Sequence, residues 1–320
     1  MALNVNALPD YIEVNKDELF VKAVAGTKTL DYIEIMANVK GKAALNYLDS
    51  TVVLADGSSC GWDPQGEDTF TQKEIETKLI TVQKEFCWKD LRNKWANYQL
   101  AIAAGRETLP FEQKIAESNT AAIKKEVEKM VWQGLEDVEL DGLLAQIADE
   151  SASVKVSEGT NAVEKIEAVI AAIPGGALEK GVNVFLSWTD FRAYVAAKNA
   201  SCCGNMPIID AAVAELVYAG DSRIKLVPVA GLEGTGKIVA APYDALVYAT
   251  DIEDADAIYR MFFDAKESKH LFEVVFNAGT AVKFADEVVI WTDETSDTPS
   301  EGGDDTPSEG GDDDTTTEGE

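Results

Sequence analysis

The most regular pattern of apolar and polar positions runs from Leu109 to Gly134. Its apolar residues recur at spacings near one or two helical turns: Phe111, Ile115, Ile123, Val127, Met130 and the adjacent Val131. Pro110 suits a first turn and Gly134 a helix end. Charged residues are predicted to cover the other side: Lys114, Lys124, Lys125, Glu126, Glu128 and Lys129. One narrow apolar stripe predicts a long helix that lies across a sheet or along the edge of a flat domain.

A period of two dominates an earlier stretch. Phe70–Phe86 contains no glycine or proline, and Ile75, Thr77, Leu79 and Thr81 fall on one face of a strand. Such a strand is far longer than the usual ~5–6 residues. A long ribbon that is polar on both faces is not stable alone. We therefore predict that Thr51–Phe86 forms a projecting hairpin held by another copy; the alternative is an edge hairpin on its own domain.

The first fifty residues show only scattered apolar positions, apart from a short helix within Asp17–Val24. They are predicted to form an arm that packs either on the rest of its own chain or on a neighbour.

The remaining chain mixes both periods, which predicts an α+β protein. Helices are expected at 86–105, 162–173, 208–218 and 257–264, with a further helix from Phe191 capped by Ser187 or Thr189. A short irregular or helical piece is expected at 138–147 and a loop at 151–160. Strands are expected at 182–186, 224–229, 238–241, 245–249, 271–276, 280–284 and 288–291. Asn277–Gly279 and Asp286–Glu287 are predicted to be turns.

Composition narrows the possible functions. The formal net charge is −29 and the pI is about 4.3, which disfavours a surface that recognises nucleic acid. The first residues show no signal-peptide pattern, and no apolar run is long enough to span a membrane. We expect a soluble protein that is made in the cytoplasm. The unit TPSEGGDD occurs twice in succession near the end, and residues 293–320 are predicted to be a disordered acidic tail.

A glycine-rich segment is the first candidate for chemistry. Gly231–Lys237 fits G-x-x-x-x-G-K, but Ile238 stands where a phosphate-binding loop needs Ser or Thr. The residues that follow favour a strand rather than the helix that would face the phosphates. A glycine-rich hairpin turn is the better interpretation, and a nucleotide-binding enzyme is the alternative.

Other candidate groups do not assemble into a site. Asp251, Glu253, Asp254 and Asp256 lack the spacing of a calcium loop. His270 has no G-x-S-x-G partner motif and is predicted to be a surface or strand-edge histidine. Cys60, Cys87, Cys202 and Cys203 contain no C-x-x-C pair, and the adjacent pair is expected to be reduced rather than disulfide-bonded. We predict no catalytic, cofactor or metal site, and no enzyme.

The order of the parts resembles the major capsid proteins of tailed bacteriophages with the Hong Kong 97-type fold. The resemblance rests on the arm, the long ribbon, a helix with Trp95 and a long helix ending in Trp132-Gln133-Gly134. It also rests on three later segments: Phe185–Arg192, Val229–Thr235 and Phe276–Gly279. It covers Met1 to about Thr292, and none of these motifs is diagnostic alone.

The resemblance implies a division of the chain. Residues 1–50 would be the N-terminal arm, 51–86 the E-loop hairpin, and 87–159 the peripheral domain with its spine helix at 109–134. Residues 160–249 would be the axial domain, and 250–292 would return to the peripheral domain.

The resemblance also implies a function. Copies of the chain would form hexamers and pentamers of an icosahedral phage head around double-stranded DNA, with assembly in the host cytoplasm. The implied partners are a portal, a separate scaffold or maturation protease, and auxiliary head proteins. Contacts with the packaged DNA would be non-specific, and no membrane would be involved. An encapsulin-type cellular shell is the nearest alternative.

Overall fold

The computed structural model describes residues 7–53, 66–87, 89–90, 94–95, 97–98, 111–200, 209–210, 215–218, 220–251 and 258–293. The α-helices are α1 (Ala7–Val14), α2 (Lys16–Val24), α3 (Phe111–Gln133), α4 (Leu143–Asp149), α5 (Ala162–Ala171), α6 (Gly175–Lys180) and α7 (Trp188–Ala200). Short 3-10 turns cover Thr29–Tyr32, Glu136–Val138, Ala230–Leu232 and Ala285–Glu287.

Fourteen strands are described. They are β1 (Glu34–Met36), β2 (Lys42–Val52), β3 (Gly66–Glu76), β4 (Lys78–Cys87), β5 (Val154–Val156), β6 (Val182–Leu186), β7 (Ile209–Asp210), β8 (Glu215–Val217), β9 (Ile224–Pro228), β10 (Ile238–Pro242), β11 (Leu246–Thr250), β12 (Ile258–Asp264), β13 (Lys269–Val282) and β14 (Val289–Trp291). The α+β composition predicted from the sequence is confirmed.

The long helix α3 is confirmed, and it ends where glycine permits the chain to turn. Gly134 has φ +80°, a conformation that glycine adopts without strain. The predicted stripe is buried at Ile123, Val127, Met130 and Val131. Glu128 was predicted to lie on the solvent side of the helix. This was wrong, because Glu128 is only 4% exposed.

The N-terminal arm packs on its own chain, which decides between the two alternatives left open above. Helices α1 and α2 contact α3 and β12. Each contributes buried apolar side chains to the main core, including Ile12, Leu19, Phe20 and Val24. Most of the scattered apolar residues of this segment are therefore covered without a neighbour, although Val14, Val21 and Ile35 are exposed.

One sheet has seven strands in the order β5-β14-β10-β6-β9-β8-β7. Strand β6 pairs in parallel with β9 and antiparallel with β10, so it lies between them. Helices α5 and α7 lie beside this sheet, and their apolar residues share a core with it. The N-terminus of α7 is capped as expected, since the backbone N–H of Asp190 donates to Ser187 Oγ at 3.0 Å.

The second sheet is built around β13. Strand β4 pairs along one edge of β13, while β12 and β11 pair with successive parts of the other edge, and β1 pairs with β11. The predicted turn at Asn277–Gly279 was wrong, because β13 runs through it with hydrogen-bonded partners on both sides. Gly279 is needed there for another reason: a Cβ would lie 2.3 Å from the carbonyl oxygen of Glu76.

Three more predicted elements were wrong. Within the predicted helix 208–218, β7 and β8 are strands, and β8 extends the sheet beyond β9. The predicted helix 257–264 is β12, which pairs with β13. The predicted loop 151–160 contains β5, which pairs with β14. In each case a partner strand distant in sequence supplies the backbone hydrogen bonds that decide the conformation.

The ribbon was predicted with the wrong limits. It consists of β2 and β3, so it begins at Lys42 inside the segment predicted as arm. Phe70–Phe86 is not one strand: it breaks at Thr77, and β4 then enters the sheet of β13. The predicted helix at 86–105 lies mostly outside the described residues, as does the tail at 294–320.

The two sheets do not follow the predicted domain limits strictly. Strand β11 lies within 160–249 but belongs to the sheet of β13, whereas β14 lies within 250–292 and belongs to the seven-stranded sheet. The chain passes repeatedly between the two sheets.

Candidate assembly surfaces

The base of the ribbon is anchored on the chain's own sheet. Residues opposite each other in an antiparallel pair share a face, and Ala43 pairs with Ile75 and Leu45 with Lys73. Leu45 and Ile75 are buried in one cluster with residues of β11 and β13: Val247, Ala249 and Ala281. One face of the ribbon base is thus covered within the molecule.

Polar contacts fix the same base. Lys73 pairs with the carboxylate of Glu150 and donates to the carbonyl oxygen of Val282 at 3.2 Å. At the break between β3 and β4, the backbone N–H of Thr77 donates to the Gly41 carbonyl at 2.6 Å. The Thr77 hydroxyl in turn accepts from the backbone N–H of Gly41 at 3.0 Å. These bonds hold the point at which the ribbon leaves the body.

The outer half of the ribbon is different. From Tyr47, whose ring meets Phe284 at 5.3 Å, β2 continues to Val52, a distance of roughly 17 Å at the usual rise of a strand. Phe70 is 82% exposed and Val52 is 78% exposed. By register both lie on the face opposite the one that Leu45 and Ile75 bury. The apolar side of the ribbon therefore changes faces between its base and its outer half.

A second apolar surface lies beside the long helix. A groove of about 250 Å³ runs between α3 and β4. Its apolar walls come from Ile80, Val82, Val127, Met130, Leu135 and Phe276. Lys129 and Glu126 also line it. This groove and the outer ribbon are two apolar surfaces, among the described residues, that a second protein could cover.

The glycine-rich segment Gly231–Lys237 does not form a phosphate-binding loop. It leads into strand β10 rather than a helix, so no row of helical N–H groups faces it. It was predicted to be a hairpin turn, which was wrong, because β9 and β10 lie on either side of β6. Gly231 instead packs on α3: a Cβ would lie 2.4 Å from both the Glu128 carbonyl oxygen and Trp132 Cδ1.

The other sequence candidates are not brought together. His270 was predicted to be a surface or strand-edge histidine, and this was wrong. It is buried in β13 between β4 and β12, beside Phe263, with ring centroids 5.0 Å apart. Burial lowers the pKa of His270. Asp251 is buried, whereas Glu253, Asp254 and Asp256 lie outside the described residues, as do Cys60, Cys202 and Cys203. Cys87 is exposed.

The described residues contain neither a cluster of metal-binding side chains nor a helix that could span a membrane. Among these residues, no three His, Cys, Asp or Glu side chains gather closely enough to hold a metal ion. Within the same ranges, no helix combines the length and apolar character that crossing a bilayer requires.

Sequence reasoning missed a buried polar cluster around Glu128. Its carboxylate accepts from the backbone N–H of Thr29 at 3.3 Å and from the Thr29 hydroxyl. The Trp132 indole N–H donates to the same hydroxyl oxygen at 2.8 Å. A signal was present, because Glu128 lies four residues before Trp132 and therefore shares its helix face.

No family model and no curated protein sequence matches this chain. Solved structures do. A virus-like particle from Pyrococcus furiosus aligns with a TM-score of 0.53 and 9% identity, over 88% of this chain and 100% of that chain. A satellite phage P4 procapsid aligns with a TM-score of 0.51 and 14% identity, over 88% of this chain and 98% of that one. The capsid of a native GTA particle aligns with a TM-score of 0.55 and 10% identity, over 84% of this chain and 89% of that chain.

At such low identities these alignments show the fold. The chain has the Hong Kong 97-type fold of phage capsid proteins, as the resemblance in its sequence predicted.

Proposed function

We propose that this protein is the structural subunit of an icosahedral phage head, in which copies form hexamers and pentamers around double-stranded DNA. The observation that carries the proposal is the outer half of the ribbon. It exposes Phe70 and Val52 on the face turned away from the ribbon's own anchor. A closed shell built by symmetry supplies a neighbour for this face on every copy.

The regions take corresponding roles in this proposal. Helices α1 and α2 belong to the N-terminal arm, β2 and β3 to the E-loop, and α3 is the spine helix of the peripheral domain. The seven-stranded sheet forms most of the axial domain. The acidic tail, residues 293–320, takes no part in assembly in this proposal.

The net charge of the protein is consistent with a shell that encloses DNA. A formal net charge of −29 repels a polyanion, so packaged DNA would not adhere strongly to the shell wall. In this proposal the protein is structural rather than catalytic, and DNA is enclosed without sequence recognition. A portal, a scaffold or maturation protease, and auxiliary head proteins are its proposed partners.

The direct test is assembly of the purified protein, followed by negative-stain microscopy. Wild-type protein is expected to form shells, tubes or capsomer rings. Phe70→Ser and Val52→Ser are expected to reduce particle yield at least tenfold while circular dichroism stays unchanged. Val14→Ser is the matched control, because Val14 is 83% exposed on α1, far from the ribbon in sequence. A monomer at high concentration, or equal yields for all variants, would contradict the proposal.

A cellular nanocompartment shell is the second candidate, because one of the aligned structures is a virus-like particle from Pyrococcus furiosus rather than a phage capsid. The contents of particles isolated from the native source separate the two. Double-stranded DNA protected from nuclease supports the phage head, whereas a single enriched cargo protein without DNA supports the nanocompartment.

A nucleotide-binding enzyme is the least favoured alternative. Saturable Mg²⁺-dependent binding of labelled ATP that is lost in Lys237→Ala would support it. We expect no such binding, since Lys237 precedes a strand and not a helix.

A further inference from the structure

The long helix buries one carboxylate that the shell function does not use. Glu128 is on α3 between the exposed residues Glu126 and Lys129. In the described part of the chain it forms no ion pair, and its oxygens are bound by neutral donors instead. Burying a carboxylate without a cation is costly unless it is hydrogen-bonded or takes up a proton.

The hydrogen bonds join Glu128 to the root of the N-terminal arm. The backbone N–H of Thr29 lies 3.3 and 3.4 Å from the two carboxylate oxygens. Trp132 Nε1 donates to the Thr29 hydroxyl oxygen at 2.8 Å, so the hydroxyl hydrogen is left to point at Glu128. The three side chains form one directional chain from indole to hydroxyl to carboxylate.

A third segment closes over the cluster. Gly231 approaches so closely that a Cβ would overlap the Glu128 carbonyl oxygen and the Trp132 ring. Gln133 Nε2 donates to the Gly231 carbonyl at 2.7 Å, and the Trp132 ring lies 5.1 Å from Phe185. Gly231 therefore packs on the backbone of Glu128 and on the Trp132 ring, and the Glu128 residue is only 4% exposed.

The charged groups around the cluster are directed elsewhere. Lys28, beside Thr29, places its ammonium over the Trp188 ring at 5.3 Å. Glu233, after the 230–232 turn, accepts from the Trp188 backbone N–H at 3.1 Å. On α3, Lys124, Lys125 and Lys129 are exposed. Burial is the largest cause acting on the Glu128 carboxyl. It raises the pKa above the ordinary 4.5, although hydrogen bonds from Thr29, from the Lys28 backbone and from the Thr27 side chain oppose it.

We propose that proton binding at Glu128 controls how firmly the Thr29–Tyr32 segment is held on the long helix. This segment is the only described connection between the arm helices and β1, after which the chain enters the ribbon. The neutral acid is buried at little cost, whereas the ionised form is destabilised by loss of water. The clamp formed by Glu128, Thr29 and Trp132 is therefore tightest in mild acid and loosens as pH rises. It acts within one chain and does not depend on the shell function.

The direction follows from proton linkage. The open state exposes Glu128 with an ordinary pKa, and the closed state has the raised pKa. At a pH below both of these pKa values, a change in pH has no effect on the opening equilibrium. Between them, opening becomes about tenfold easier for each pH unit, and above the raised pKa the effect levels off.

Hydrogen exchange measured by mass spectrometry tests this on the whole protein. Exchange of the peptide that contains Thr29–Tyr32 is followed from pH 4.5 to 8 and divided by exchange of the same peptide in urea-unfolded protein at each pH, which cancels the chemical pH dependence. The wild-type ratio is expected to rise with pH, by about tenfold per unit within the window. Glu128→Gln keeps the acceptor oxygen but cannot ionise, so its ratio is expected to stay flat.

Glu126→Gln is the matched control, because Glu126 is exposed on the same helix, and it is expected to follow the wild type. If Glu128→Gln does not fold, the wild-type and Glu126→Gln profiles still decide. A flat wild-type ratio, a ratio that falls with pH, or a rise that Glu128→Gln retains would overturn the proposal.

Discussion

The seven-stranded sheet and the outer ribbon use similar residues with opposite results. In β6 and β10 nearly every position is buried, because both faces and both edges have partners in the same chain. In the outer ribbon Phe70 and Val52 are as apolar as the residues of β6, yet they are open to solvent. Strand propensity produces both structures. Of these two regions, only the sheet is buried within one copy. Mutations in the sheet should therefore lower the stability of the chain, whereas mutations in the outer ribbon should affect the proposed shell assembly.

The largest expected effect is Phe185→Ala in the sheet. Phe185 is fully buried, and its ring packs 5.1 Å from Trp132 and 6.5 Å from Tyr32. Removing it leaves a cavity, so the free energy of unfolding of the dissociated chain should fall by about 3–5 kcal/mol. Urea denaturation measures this. Phe70→Ala is the matched aromatic control and should change the same quantity by less than ~0.5 kcal/mol. Equal losses for the two variants would refute the comparison.

A smaller loss of stability is expected from a substitution at Gly231, where the backbone packs closely on α3. Gly231→Ala places a methyl group 2.4 Å from the Glu128 carbonyl oxygen, which should lower the free energy of unfolding by about 1–3 kcal/mol. Gly175→Ala is the control, because a Cβ there meets nothing within 4 Å. Thermal melting of both variants gives the answer. If Gly231→Ala has the same melting temperature as the wild type, the turn at Gly231 does not pack tightly on α3.

Removal of the ribbon tip should leave folding intact and affect assembly alone. Deletion of Gly57–Gly66 keeps the β2–β3 pairs from Lys42 to Thr51, including the anchored base. The free energy of unfolding should change by less than ~0.5 kcal/mol, whereas shell yield falls. Sedimentation of assembly reactions measures the yield. An unchanged yield would mean that the tip makes no contact between copies.

The smallest effect is expected from the tail. Truncation from Ser296 onward removes a repetitive segment without large apolar residues. Both the free energy of unfolding and particle yield should match the full chain by urea denaturation and microscopy. Complete loss of particles would show that the tail takes part in assembly.

Much of the fold was predictable where a local pattern decides conformation. Helix α3 followed from its apolar spacing and Gly134, and β6, β9 and β10 followed from short apolar runs between turn residues. The α7 cap was predicted at Ser187 or Thr189, and Ser187 provides it. These features depend on residues within a few positions of one another.

The errors share a different cause. The turn predicted at Asn277–Gly279 is overruled by β4 and β11, which pair with β13 there. The helix predicted at 257–264 becomes a strand because β13 binds its backbone, and His270 is buried because that same strand begins earlier than predicted. For the candidate surfaces, the ribbon was foreseen but its anchor and limits were not, and Glu128 was placed on the wrong side of α3.

The sequence by itself determined the kinds of element, their order, the acidic charge and the resemblance to a shell protein, because these depend on composition and short spacing. Only the tertiary structure decided which face of the ribbon is anchored, where the long strand breaks, and that Glu128 is enclosed by Thr29, Trp132 and Gly231. Such features arise from contacts between segments about a hundred residues apart. No local period records those contacts, since the hydrogen bonds and burial that fix them come from partners elsewhere in the chain.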